Sequence, residues 1–261
     1  MNQMETATHQ HPPHSHPYYP VDSMVPGYAP NESHAVSIIA RFGGLIAAQL
    51  VLALWVAERA ANPGRPEGGL GRSEQAVLCW FVLSHNIGGF LHCFFEGYFV
   101  VNHATMPSSQ ALFAQLWKEY ALSDSRYMTS DPFMLCIESL TVLIWGPLSY
   151  LLAGYIAFGR GSGENLRRRH ILQVILCIGH MYGVALYYGT CFFVERHGGI
   201  SFSRPEVLYQ WVYFAGLNAP WAVVPAMLLY QSFRAIGHCR ENLGEGDSAA
   251  LKKIASSKKD R

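Results

Sequence analysis

Residues Pro132–Phe158 read PFMLCIESLTVLIWGPLSYLLAGYIAF and carry a single carboxylate, Glu138. A helix needs roughly 20 consecutive apolar residues to cross the hydrocarbon core of a bilayer, and this stretch is long enough. Four more stretches share its character: Ala35–Ala57, Ala76–Val101, Ile171–Val194 and Val207–Ile236. All five hold too many Gly, aromatic and β-branched residues for water-facing amphipathic helices. The rest of the 261-residue chain agrees. Charged residues are 14% of it, where about 25% is usual for soluble proteins, and half is hydrophobic. Too little polar sequence remains to cover five buried core helices. Net charge is +1, which gives no footing for nucleic acid or another polyanion. The fold class expected is an all-α membrane protein, a bundle of five transmembrane helices preceded by a disordered N-terminal tail.

The Lys and Arg residues orient the bundle. The first and third connections and the C-terminal tail together carry fourteen, among them Arg65, Arg72, Arg167, Arg168 and Arg169. The second and fourth connections carry four: Lys118, Arg126, Arg196 and Arg204. The C-terminus is therefore expected in the cytoplasm, and an odd number of crossings sends the N-terminus to the lumen. The chain divides into a lumenal tail (1–34), a five-helix domain (35–240) and a basic cytoplasmic tail (241–261). Its last residues, Lys258-Lys259-Asp260-Arg261, resemble the dilysine signal that returns membrane proteins to the endoplasmic reticulum. The N-terminal tail has His9, His11, His14, His16 and six prolines without an apolar run, a disordered composition. It has no charged n-region or apolar h-region, so it is not a secretory signal. Asn31-Glu32-Ser33 fits a glycosylation acceptor. The six cysteines form no C-x-x-C pair, and no disulfide framework, metal or cofactor is expected from them.

Ionisable residues inside a span are costly and are functional candidates by default. The second span has His85, His92 and Glu96, with His92 and Glu96 on one helix face at i, i+4. The third has Glu138 and Thr141, the fourth His180, and the fifth Asn218 and Trp221. A rise of about 1.5 Å per residue places Glu96 and Glu138 each roughly 9 Å, and His92 and Thr141 roughly 15 Å, from the lumenal end. The helices alternate in direction, yet these groups converge on one layer. Polar glue between helices explains any one of them alone better than it explains the set.

Two carboxyls in an apolar site do not both ionise easily, because burial and a neighbouring carboxylate each favour the neutral acid. One can then serve as general acid, with Glu138 the candidate, while His92 or Glu96 accepts a proton. Trp221 offers an indole face to a cation, and Asn218 is placed to orient the ring. Acid, base and cation-stabilising aromatic suit one chemistry: protonate an alkene, hold the carbocation, and remove a proton elsewhere. A site within the membrane implies a lipophilic substrate.

Four ordered strings resemble the emopamil-binding protein family, the sterol Δ8–Δ7 isomerases of the EXPERA superfamily, over about residues 36–240. They are His92-x-x-x-Glu96-Gly97-Tyr98-Phe99, Leu116-Trp117-Lys118-Glu119-Tyr120-Ala121-x-x-Asp124-Ser125-Arg126-Tyr127, Cys136-x-Glu138-x-x-Thr141-x-x-x-Trp145-Gly146-Pro147-Leu148-Ser149, and Tyr209-x-Trp211-x-Tyr213-Phe214-x-x-x-Asn218-Ala219-x-Trp221. The resemblance implies a five-helix protein of the endoplasmic reticulum membrane, commonly a homodimer, with its pocket open to the bilayer. It implies movement of a sterol ring double bond from C8–C9 to C7–C8 without a redox cofactor. His92, Glu96 and Glu138 match the family's proton-handling residues, and Thr141 a hydroxyl beside the second carboxylate. Asn218 and Trp221 match the pair facing the cationic intermediate, and Tyr127 a loop position near the pocket. Lipophilic amines are implied as inhibitors that mimic the cation. The fourth span departs from the family. Gly179-His180-Met181-Tyr182-Gly183-Val184 stands where a Gln and an Asp are usual, so His180 and Val184 alter a substrate-binding wall. Three readings stay open: a sterol isomerase, a related isomerase or cyclase of a non-sterol terpenoid or polycyclic lipid, and a non-catalytic sterol- or amine-binding membrane protein.

Overall fold

The computed structural model describes residues 16–59, 70–85, 90–158 and 163–237. His9, His11, His14, Cys239 and the Lys258–Arg261 signal lie outside the described residues. Within them the chain is helical, with no strand. The helices are α1 (Ala35–Arg59), α2 (Arg72–His85), α3 (Gly97–Asn102), α4 (Leu112–Tyr120), α5 (Pro132–Leu140), α6 (Gly146–Phe158), α7 (Gly163–Gly198) and α8 (Leu208–Gly237). Four stretches are long and apolar enough to cross a membrane: Ala35–Trp55, Pro132–Phe158, Glu164–Gly198 and Leu208–Gly237. The expected second span falls on α2 and on Phe90–Asn102, on either side of residues 86–89. At 36 residues α7 is about 54 Å long, so it outreaches a roughly 30 Å bilayer core.

Among the described residues, three stretches are not purely α-helical. Phe90–Glu96 leads into α3, Thr141–Trp145 joins α5 to α6, and Leu208–Gly216 opens α8, all in π-helical turns. Two of these turns have a cause in the sequence. Pro147 and Pro220 have no N–H for the carbonyls four residues back, Leu143 and Gly216, and the ladder widens just before each. The start of α5 is equally explicit. Asp131 accepts a hydrogen bond from the Met134 amide at 3.0 Å, and Pro132 sits at the first helical position.

Two apolar cores result. One joins α2, α6, α7 and α8 through Leu78, Phe81, Leu152, Ile156, Leu176 and Leu228. The other is a cap at one end of the bundle, built on Tyr18, Phe99, Met106, Trp117, Tyr127 and Tyr187. The cap gathers the N-terminal tail and the second and fourth connections, the three segments that the charge count put on one side. Ser125 donates its amide to Phe202 O at 3.1 Å, and Arg204 donates to Leu122 O at 3.0 Å.

The tail corrects one expectation. Disorder was expected over 1–34, but residues 16–34 are seated in the cap. Tyr18 is only 1% exposed, and its hydroxyl donates to Lys118 O at 3.1 Å. Lys118 Nζ in turn donates to Ala29 O at 2.8 Å, and Ala29 donates to Pro107 O at 3.0 Å. The proline and histidine content had masked the residues that bind this segment down: Tyr18 and Val25 are buried, and Tyr28 packs against them. Burial lowers the Lys118 pKa, opposed in part by Glu32. The Asn31 amide nitrogen donates to Gln115 O at 2.9 Å.

Candidate active site

A cavity of about 560 Å³ lies between the two cores, within the roughly 300–1,000 Å³ usual for small-molecule sites. All nine residues singled out from the sequence line it: His92, Glu96, Tyr127, Glu138, Thr141, His180, Val184, Asn218 and Trp221. His85 ends α2, and its side chain lies outside the described residues. The remaining wall is mainly apolar, with Ile39, Phe42 and Ile46 of α1 facing the cavity.

Small residues bring the two carboxylate-bearing helices together. A Cβ on Gly146 would stand 2.8 Å from Cys93 Sγ, so only glycine lets the turn at Thr141–Trp145 approach the turn at Phe90–Glu96 this closely. Each carboxylate lies in or beside one of those turns. His92 Nδ1 and Glu96 Oε2 are 2.5 Å apart, and the Glu96 and Glu138 carboxyls face the same cavity as neighbours. The Tyr127 hydroxyl donates to Glu138 Oε1 at 2.7 Å. Two hydrogen-bonded pairs, His92–Glu96 and Tyr127–Glu138, therefore meet at neighbouring carboxyls. Two carboxyls so placed in an apolar site do not both ionise easily, so the group can bring an acid and a base together.

Tyr127 is fixed by the loop before it. Asp124 accepts the Arg126 amide and closes a short 3₁₀ turn, Ser125–Tyr127. Its carboxylate also takes Arg126 in a fork, Nε to Oδ1 at 2.9 Å and Nη2 to Oδ2 at 2.6 Å. Both residues are buried, and Arg126 Nη1 reaches Thr190 Oγ1 at 2.8 Å. Burial works against the Arg126 charge, but Asp124 outweighs it and the pKa rises. The guanidinium lies over the Tyr187 and Phe202 rings, each at 5.1 Å. One fork thus ties the second connection to α7 and the fourth connection. Burial, then the nearby Glu138, raises the Tyr127 pKa and keeps the phenol a donor.

Another side of the cavity is a group of rings. Trp221 lies 5.2 Å from His92, 5.6 Å from His180 and 5.0 Å from Trp80, centroid to centroid. His92 and His180 are 5.4 Å apart. His180, expected as a pocket wall, stands between the His92 and Trp221 rings and the rest of α7. Two details refine the expected roles. Asn218 Nδ2 donates to Tyr120 Oη at 2.8 Å and to Phe214 O at 2.7 Å, so its bonds tie it to the cap and its own helix, not to the indole. Thr141 Oγ1 donates back to Ile137 O at 2.9 Å, which turns its hydrogen away from Glu138.

Sequence reasoning passed over Tyr120, Trp145 and Tyr187, which also line the cavity. Spacing held a signal for Tyr187, because His180, Val184 and Tyr187 recur at helical i, i+4, i+7. Trp145 packs flat on α7: a Cβ on Gly179 would meet its ring at 2.8 Å. Tyr120 had no helical period to betray it, since it sits at the end of a connecting helix.

Comparison with known proteins fits this geometry. The profile of the EXPERA (EXPanded EBP superfamily) family matches residues 112–232. The chain is similar to the 3-beta-hydroxysteroid-Delta(8),Delta(7)-isomerase of Mus musculus, with 34% identity over 242 residues, 91% of this chain and 94% of the relative. It is similar to a probable isomerase of the same name in Oryza sativa subsp. japonica, with 31% identity over 86% of this chain and 93% of the relative. It also matches an isomeliandiol synthase of Melia azedarach, with 34% identity over 63% of this chain and 71% of the relative.

Proposed function

The chain belongs to the EXPERA superfamily, and from that premise we propose that it is a membrane isomerase shifting a sterol ring double bond from Δ8 to Δ7. The single observation that carries the reading is the meeting of the His92–Glu96 and Tyr127–Glu138 pairs beside the Trp221 face in one largely apolar cavity. An acid of this group, with Glu138 the candidate, gives a proton to C9 of the C8–C9 alkene. The positive charge then sits at C8 against the indole of Trp221. His92 or Glu96 takes a proton from C7, and the C7–C8 double bond forms. One proton enters and one leaves, so no electron acceptor is needed. With the Glu96 and Glu138 carboxyls as neighbours, a proton taken by one can return to the other, which resets the acid.

In this reading five helices cross the membrane, the broken stretch over α2 and Phe90–Asn102 serving as the second span. The cap is lumenal, and the C-terminus is cytoplasmic with Lys258-Lys259 as an endoplasmic reticulum signal. Homodimerisation and inhibition by lipophilic amines belong to the same reading. A second reading has support of its own. His180 and Val184 change the α7 wall, and the chain is similar to the isomeliandiol synthase above, which favours a related isomerase or cyclase of a non-sterol terpenoid.

The test is a sterol profile by mass spectrometry in cells lacking their own Δ8–Δ7 isomerase. Conversion of Δ8 to Δ7 sterols is expected with the wild type and not with Glu138→Gln, whose amide cannot cycle a proton. No conversion by correctly localised protein would move the substrate to the terpenoid reading. Sterol binding without turnover of any lipid would leave a binding protein.

A further inference from the structure

A second polar pair faces the same cavity away from the proton-handling groups. Glu119 lies in the last turn of α4, and Tyr213 lies in the π-helical opening of α8. The Tyr213 hydroxyl donates to Glu119 Oε1 at 3.3 Å, and both side chains line the cavity. Glu119 is half-buried, and burial raises its pKa against the opposing influence of Tyr213, His34 and Arg204. The next residue, Tyr120, receives the Asn218 amide. Tyr213 precedes Asn218 by five residues, so the pair sits roughly 7 Å along α8 from the reacting layer, toward the cap.

The geometry is poor for a tie between helices and good for a ligand. An O–H···O bond is normally about 2.5–3.0 Å long, so at 3.3 Å this contact is stretched. A carboxylate held beside an apolar wall is costly unless its lone pairs are used. A ligand hydroxyl placed against the pair would donate to Glu119 and accept from Tyr213. A roughly 7 Å offset suits a hydroxyl on the ring fused to the one in which the double bond moves.

We propose that Glu119 and Tyr213 hold the substrate's hydroxyl and so select polycyclic lipids that carry it one fused ring from the migrating double bond. This rests on reading the cavity as that of a double-bond isomerase.

Binding and turnover are measured separately on full-length protein in nanodiscs, with a 3β-hydroxy Δ8 sterol and its 3-deoxy analogue. The wild type is expected to bind the hydroxylated sterol about tenfold more tightly. Tyr213→Phe and Glu119→Leu remove that preference and raise KM for the hydroxylated sterol by a similar factor. They leave kcat, and the Kd of the deoxy analogue, within about twofold. Glu119→Gln keeps the side-chain shape and an acceptor oxygen, and retains part of the preference. Equal wild-type affinities, binding of neither sterol, or equal losses for both sterols on substitution would overturn the proposal. Preference in binding without turnover of either sterol would sink the isomerase reading and leave the hydroxyl site standing.

Discussion

Tyr127→Phe removes one oxygen and little else. The ring is held by Trp117 at 4.5 Å, Phe99 at 5.1 Å and Tyr120 at 5.5 Å, and phenylalanine keeps those contacts. What disappears is the 2.7 Å bond to Glu138 Oε1. As Glu138 gives up its proton this becomes a hydrogen bond to a charged acceptor, which contributes about 1.5–3 kcal/mol. At about 1.4 kcal/mol per factor of ten, kcat should fall roughly 10- to 150-fold. KM should hold within about twofold, because the ring face presented to the cavity is unchanged. The assay is steady-state conversion of Δ8 sterol in nanodiscs, with thermal unfolding measured in parallel. A double-mutant cycle with Glu138→Asp, which keeps an acid but shortens it away from Tyr127, supplies the decisive comparison. If Tyr127 acts only through Glu138, the double variant is no slower than Glu138→Asp alone. Multiplying losses, or wild-type kcat for Tyr127→Phe, would refute the Tyr127–Glu138 pair as a working unit.

Four further outcomes are expected. Arg126→Met leaves Asp124 buried without its fork and should destabilise by about 3–5 kcal/mol, while Asp124→Leu with Arg126→Met recovers part of the loss; both are read from the unfolding midpoint. Gly179→Ala drives a methyl into the Trp145 ring and should lower stability by about 1–3 kcal/mol. By contrast, Gly183→Ala meets nothing within 4 Å and should change KM more than the unfolding midpoint. Tyr18→Ala removes a buried anchor, by analogy with aromatic truncations costing about 3–5 kcal/mol. Protease should then cut within residues 16–34 well before the rest of the chain, and equal resistance of wild type and variant would show that Tyr18 does not hold the strap.

The sequence made the membrane class legible because charge is excluded from spans, and exclusion leaves long gaps that need no partner to be seen. The meeting of His92, Glu96, Glu138 and Trp221 in one cavity was legible for a related reason: isolated polar groups in lipid have few places to go but toward one another. Finer placement was not legible. Thr141 and Asn218 had been placed with a 3.6-residue period, but the ladder widens at Thr141–Trp145 and Leu208–Gly216, and neighbouring backbone oxygens claim their hydrogens. The tail escaped for a different reason. Tyr18 has no period of its own, and its partner is Lys118, far along the chain. His180 was read as wall because a lone histidine in a sequence does not reveal which rings will stand beside it.

The seating of the tail also sets an order of events during synthesis. Tyr18 and Lys118 are 100 residues apart in the chain, and Asn31 and Gln115 are 84 apart. At roughly 5–20 residues per second, the ribosome needs about 5–20 s to deliver Lys118 after Tyr18. Over that interval the first helix is already made while its strap has nothing to grip. The earlier segment is therefore seated late, and the cavity gains its roof only when the second connection has been made.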